Sequence, residues 1–310
     1  MLSEYAVEPA AIGADWNTFR YLIEKFGADK GRLISRFPNK WERKVIQAAK
    51  DAGLSEVKLA SVVERLHIGR HKVVGFNRTY NHETSWVDNA IREHGHRPFR
   101  AIVCGEGAVN CAEALVPDDC FDENAFFNAP ISRDVARTSD DIADALLLIA
   151  LVADEIDIVD PYFDLRPARG NYTGSLTSLL SELAAATPKP KVIKFHVRSH
   201  DSRPPPNILA QNAPALTNGV LPQGYSLELY EWTEVPGGED LHDRFFLTNI
   251  GGLMVGAGLA AAGAGETATF TLLDNTHAQQ LRSRFSANST VYTRVGSAVR
   301  VDANGNVDLF

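Results

Sequence analysis

Apolar residues recur at three- and four-residue intervals over residues 16–26, where Trp16, Phe19, Leu22, Ile23 and Phe26 share one helical face. Asp15 is placed to cap that helix and Gly27 to end it. Residues 40–52, opened by Asn39 and closed by Gly53, read as a second helix. A third runs from Ser55 to about residue 66. It lacks the basic face of a DNA-reading helix, which argues against a helix-turn-helix. The pattern then changes. Residues 72–76 form a short β-branched run, 83–94 are helix-like and 99–104 are again strand-like. The first third is therefore expected to be mainly helical, with a small strand–helix–strand unit.

Residues 117–139 combine Pro117 and Pro130 with acidic residues between Asp118 and Glu123, the composition of a connector. We place the domain boundary there, giving domains of residues 1–135 and 136–310. The alternative is that the strands within 72–104 extend the second domain's sheet. Beyond the connector, strands and helices alternate. Ser139 and Asp140 open a helix to about residue 152. Residues 155–159, 191–198, 226–232, 245–248, 253–255 and 267–273 read as strands, 173–186 and 276–285 as helices, and 291–301 as an extended tail. The proline-rich stretch 199–223 reads as an irregular loop. Alternation of this kind predicts an α/β layer fold with a mixed sheet flanked by helices. No repeat with a period of 20–50 residues is evident.

Apolar residues make up 45% of the 310 and charged residues 23%, which is globular composition. The net charge of −8 shows no basic stripe for broad nucleic-acid or acidic-membrane binding. Cys104, Cys111 and Cys120 follow no zinc spacing, nor does His94-Gly-His96, and three thiols suit a reducing compartment. The N-terminus lacks the basic and apolar regions of a signal peptide. The apolar stretches 143–152 and 251–265 are too short or too glycine-rich to span a bilayer. A cytoplasmic protein is expected, with no cofactor and no metal. Alanine-, aspartate- and arginine-rich composition with few lysines is that of a high-GC bacterial genome. Gly105-Glu106-Gly107 lacks the lysine and hydroxyl of a P-loop and reads as a turn.

Residues 241–259 read L-H-D-R-F-F-L-T-N-I-G-G-L-M-V-G-A-G-L. His242 and Arg244, two apart in an extended segment, share a face. An imidazole beside a fixed guanidinium makes a sensible phosphate site: one can attack phosphorus or move a proton, and the other can grip two oxygens. Gly256 and Gly258 allow close backbone approach.

This segment resembles the phospholipase D superfamily motif H-x-K-x(4)-D-x(6)-G-[ST]-x-N. His242, Arg244, Asn249, Gly256, Ala257 and Leu259 fall at its positions, with the spacing kept and only His242 and Gly256 identical. The likeness is closer to the phospholipase-D-like C-terminal domain of MIT-domain proteins. There the H-D-R and G-x-G-L elements look like His242-Asp243-Arg244 and Gly256-x-Gly258-Leu259, and a D-P-Y-[IF] strand end looks like Asp160-Pro161-Tyr162-Phe163. The resemblance spans about residues 140–301.

The resemblance implies a phospholipase-D-like fold with His242, Arg244 and Asp160 as catalytic candidates. Asn249, Gly256, Gly258, Arg198, His196 and Tyr162 are candidate ligand contacts. Asp160 either orients His242 or caps the turn at Pro161. Asn249, Tyr162, His196 and Arg198 have structural roles as their alternative. In the superfamily two motifs meet, one histidine forming a phosphohistidine and the other protonating the leaving group. One motif per chain then implies a homodimer. His196-Val-Arg198 is a second H-x-R without the glycines. Ala257 and Leu259 replace polar residues of active members, and each lost donor of that kind costs about 3 kcal/mol of transition-state stabilisation. The MIT branch is non-catalytic and binds acidic lipids and partners. The reading that follows is a domain binding a phosphate-bearing ligand or a partner. The alternative is a metal-independent, dimeric, nuclease-like phosphodiesterase. The first domain is the expected site for a protein partner, and membership of an anti-phage assembly follows from the family association.

Overall fold

A computed structural model describes residues 1–105, 110–164, 166, 171–187, 189, 191–263 and 265–310. Gly107, and with it the assigned turn, lies outside the described residues. The chain divides into two compact units, Met1–Ile131 and Ser132–Phe310. No helix among the described residues is long and apolar enough to cross a membrane.

The first unit has far more helix than strand, as expected, but its strands are not a single strand–helix–strand unit. It is built on a parallel sheet. Its elements run β1 (Ser3–Val7), α1 (Pro9–Gly13), α2 (Trp16–Lys25), β2 (Arg32–Ser35), α3 (Trp41–Asp51), α4 (Glu56–Ile68), β3 (Val73–Val74), α5 (Trp86–His96), β4 (Ile102–Val103) and β5 (Ala114–Leu115). The strand order is β3-β2-β1-β4-β5 and every pairing is parallel. The central strand β1 and its neighbour β2 were not foreseen. They are four or five residues long and almost wholly buried, so they show no polar–apolar alternation. The strands within 72–104 belong to this unit's own sheet. Asp15 caps α2 through the Thr18 amide as expected. Lys40, with φ 66°, stands before α3 in place of Asn39.

Tyr5, Phe26 and Phe127 meet edge to face in the core, and the Trp41 indole donates to the Val7 carbonyl at 2.6 Å. Arg78 is buried in an ion pair with Glu4 (2.6 Å), donates to the Glu93 and Arg97 carbonyls, and covers the Phe99 ring at 3.7 Å.

The second unit is mixed α/β, a sheet flanked by helices. It contains β6 (Ser132–Ala136), α6 (Ser139–Val152), β7 (Ile156–Val159), α7 (Tyr172–Ala186), β8 (Val192–Arg198), α8 (Pro206–Thr217), β9 (Ser226–Glu234), β10 (Phe245–Thr248), β11 (Gly251–Val255), β12 (Thr267–Leu273), α9 (Asn275–Ser283), β13 (Tyr292–Arg294), β14 (Val299–Asp302) and β15 (Val307–Leu309). The order is β15-β14-β9-β8-β7-β10-β11-β12-β6, with β13 also on β9. Strands β7, β8 and β9 are mutually parallel; β10, β11 and β12 are antiparallel.

Two assignments fail here. Residues 132–136, read as connector, form edge strand β6 against β12. The proline-rich loop contains α8: Pro206 occupies its first turn, where no intrahelical N–H is needed, and Pro214 lies inside it.

Removing Arg78 would strand a buried Glu4 carboxylate. Arg78→Ala should therefore lower the stability of the first unit by about 3–5 kcal/mol. Urea titration followed by tryptophan emission reads this unit preferentially, since Trp16, Trp41 and Trp86 lie in it and only Trp232 in the second. An unchanged midpoint would count against the assignment.

Candidate functional site

Because β7, β8 and β9 run parallel, the segments leaving their carboxyl ends reach one edge of the sheet, where open α/β sheets hold ligands. Strand β10 runs the other way and pairs Phe245 with Val159, so His242–Arg244 enter at that same edge. Strand β11 returns to it, and the Val255 amide donates to the Arg244 carbonyl at 2.8 Å. The hairpin alone thus delivers Arg244, Gly256 and Gly258 to the end of β7.

Asp160 follows β7 and opens a tight turn. Its amide donates to the His196 carbonyl (3.1 Å), its carbonyl accepts from Phe163 (3.1 Å), and its Oδ1 accepts from the Tyr162 amide (3.0 Å). Pro161 sits where its fixed φ favours such a turn. Phe163 is anchored by stacking on Phe195 at 3.7 Å. The Asp160 carboxylate is 1% exposed, with Arg244 Nε 3.7 Å from Oδ1. Its Oδ2 faces Gly258 and makes no hydrogen bond within normal limits among the described residues. Burial pushes this carboxyl up to about 6, against the Tyr162 amide, the Arg244 charge, the Leu259 amide and the Arg203 charge, which all pull it down.

Gly258 is required by two independent facts. Its φ is +70°, and a Cβ there would overlap Asp160 Oδ2 and lie 2.8 Å from Arg244 Cδ. Arg244 donates from Nη1 to the Gly256 carbonyl at 3.0 Å and lies over the Tyr162 ring at 4.7 Å. Tyr162 is exposed and not in the core.

Tyr162 also lines a cleft of about 320 Å³ together with Arg166, Arg198, His200, Ser202 and Arg203. Arg203 is a clamp: it donates to the carbonyls of Phe163 (2.9 Å), Arg198 (3.2 Å) and Pro161 (3.3 Å), tying the segments after β7 and β8 together. Burial lowers its affinity for its proton, yet a guanidinium stays charged. Arg166 is paired with Asp164. Arg198 pairs with Glu234 (2.9 Å) and Asp240 (3.1 Å). His200 accepts the Ser202 amide on Nδ1, which leaves Nε2 as the protonated nitrogen in the neutral ring.

His242 is exposed. Its Nε2 lies 3.1 Å from Asp243 Oδ1 and its Nδ1 3.9 Å from Asp240 Oδ2. It is thus joined to Arg198 through Asp240, while among the described residues its polar contacts include neither Asp160 nor Arg244. Of the candidate residues, Asp160, Tyr162, Arg198, His242, Arg244, Gly256 and Gly258 come together at the carboxyl edge. Asn249 and His196 do not. Asn249 lies beyond the far end of β10, where its Oδ1 accepts the Asp154 and Glu155 amides. His196 is buried within the sheet, between Asp157 and Trp232.

Sequence reading passed over Arg166, His200, Ser202 and Arg203. Their only signal is position: all follow the carboxyl ends of two adjacent parallel strands. Neither a scan against known protein families nor a search among curated proteins finds a match to this chain.

A folded-state carboxyl raised to about 6 from 3.8 means the fold prefers neutral Asp160. That contribution is complete below pH 4 and is lost as pH rises through 6. It is worth about 3 kcal/mol at most. Stability of the second unit should therefore fall across that window, and Asp160→Asn should flatten the fall. Equal pH profiles for the two proteins, by thermal unfolding, would refute it.

Proposed function

We propose that the second unit is a phospholipase-D-like domain that binds a phosphate-bearing ligand at the carboxyl edge of β7 and β8. The observation that carries this reading is the cleft lined by Arg166, Arg198, Arg203 and His200, contiguous through Tyr162 with Arg244. Guanidinium groups meet phosphate oxygens with charge-assisted, paired hydrogen bonds. The phospholipase-D-like character rests on the sequence motif and on the chain order of helix, D-P-Y strand, helix, parallel strand and H-D-R hairpin.

Arg198 is engaged by Asp240, which is itself 60% exposed. An incoming phosphate takes over the Arg198 Nη donors and releases Asp240 toward His242. This internal carboxylate makes the site selective for dianionic groups over weaker anions. A protein partner, in this reading, docks on the first unit, where Val57 and Ile68 of α4 are 78% and 71% exposed. Membership of an anti-phage assembly is part of the same proposal and rests on the family association alone.

A second reading, a dimeric phosphodiesterase, is favoured by one observation: His242 is open to solvent with a carboxylate 3.1 Å from Nε2, and attack by Nδ1 would displace its 3.4 Å contact with the Asp240 carbonyl. A phosphohistidine trapped during turnover, absent from His242→Ala, would establish it.

Titration of inorganic phosphate, a 5′-phosphorylated oligonucleotide and phosphatidylserine vesicles separates the ligand sources. Arg198→Ala and Arg244→Ala should each weaken the bound ligand about tenfold or more. Asp240→Asn should strengthen it by a few-fold, the size of an exposed ion pair. If none of the three ligands binds, or if the arginine variants bind unchanged, the proposal fails.

A further inference from the structure

We propose that the second unit carries a separate site, on the sheet face shared with α9, for a planar aromatic ring bearing one anionic group. The registers Asp157↔Lys194, His196↔Tyr230 and Arg198↔Trp232 place Asp157, Lys194, His196, Tyr230 and Trp232 on one face. Helix α9 covers only part of it: Ala278 and Leu281 pack with Val159, Phe245 and Leu247. Over the rest lies a cleft of about 510 Å³, a size typical of small-molecule sites.

The walls are rings. Tyr230, Trp232, Phe285 and Tyr292 surround the buried imidazole of His196, which lies near-parallel to Tyr230 at 5.4 Å and 4.8 Å from Phe285. The polar handles of Trp232 and Tyr230 are already used. The Trp232 indole donates to His196 Nδ1 at 3.1 Å, and the Tyr230 hydroxyl donates to Glu228 at 2.6 Å. Because Nδ1 accepts, His196 Nε2 carries the proton and donates to Asp157 Oδ1 at 3.1 Å. What these walls offer a ligand is therefore ring faces and edges, which reward a flat aromatic over an aliphatic chain.

Charge selects the rest of the ligand. The carboxylates of this face are neutralised from within: Asp157 by Arg282 (2.6 Å), with His196 donating to its other oxygen, and Glu228 by Arg300 (2.8 Å). Lys194 and Arg294, which line the cleft, have no carboxylate within ion-pair distance among the described residues. Two uncommitted cations beside ring walls fit an aromatic anion, whose charged group they hold while its ring stacks.

The test uses the full chain and the indole N–H signal of Trp232, followed by NMR with adenosine 5′-monophosphate, indole-3-carboxylate, adenosine and inorganic phosphate to about 5 mM, which reaches millimolar dissociation constants. We expect one or both aromatic anions to shift that signal, and Lys194→Ala with Arg294→Ala to weaken the effect about tenfold. The nucleotide alone, or the carboxylate alone, then names the source. Both substituted side chains are partly or fully exposed, and unmoved backbone amide signals of β10, β11 and β12, in the same unit but outside the cleft lining, verify the fold. The proposal is overturned if neither anion shifts Trp232, if phosphate or adenosine alone acts as strongly, or if the double variant binds unchanged. Arg244→Ala should leave this binding intact; its loss there would move the ligand to the carboxyl edge and end the inference, whereas failure of the edge site leaves it standing.

Discussion

A carboxylate withdrawn from water at the end of β7 organises the carboxyl edge of the second unit. Asp160 is 1% exposed, touches Gly258, and faces Arg244 at 3.7 Å. Each neighbour follows from that placement. The residue at 258 must lack a side chain, because the space is filled by an oxygen. Arg244 must bend toward the sheet, because the compensating charge is there. Its guanidinium then rests on Tyr162, whose ring in turn walls the arginine-lined cleft. Desolvation raises the carboxyl while Arg244 and two amides lower it, so the balance lands near neutrality and not at either extreme.

The same sheet keeps two chemistries apart by alternation. On β8, Phe195 points to the side where it stacks on Phe163, while His196 points to the side of Asp157 and Trp232. One residue's displacement along a strand changes face. His196 and Arg198, two apart, share a face, and what separates them is their place along β8. Arg198 at the strand end reaches the rim, and His196, two residues inward, does not.

Much of the second unit was legible because its helices are long and its strands alternate with them. Residues 245–248 and 267–273 were bounded as the structure has them. The first unit was less legible for a physical reason. Strands such as Arg32–Ser35 are buried on both faces, so their sequence lacks a period-two signature, while its amphipathic helices show theirs plainly. Proline counts misled at residues 206–217, where prolines begin a helix. At the site, the H-x-R spacing and its glycines pointed to Arg244 and Gly258, and the family resemblance to Asp160. It could not reveal Arg203 or His200, whose relevance arises only when β7 and β8 end side by side.

Arg203 has a consequence for how the cleft meets its surroundings. Three carbonyls from two separate connections converge on one guanidinium. Each is a backbone acceptor, and together they hold Pro161 and Phe163 against the end of β8. The ordering entropy of this rim is thus spent during folding and not at the moment of encounter. A visitor meets these backbone acceptors already ordered, so at this point of the rim discrimination is by fit and charge.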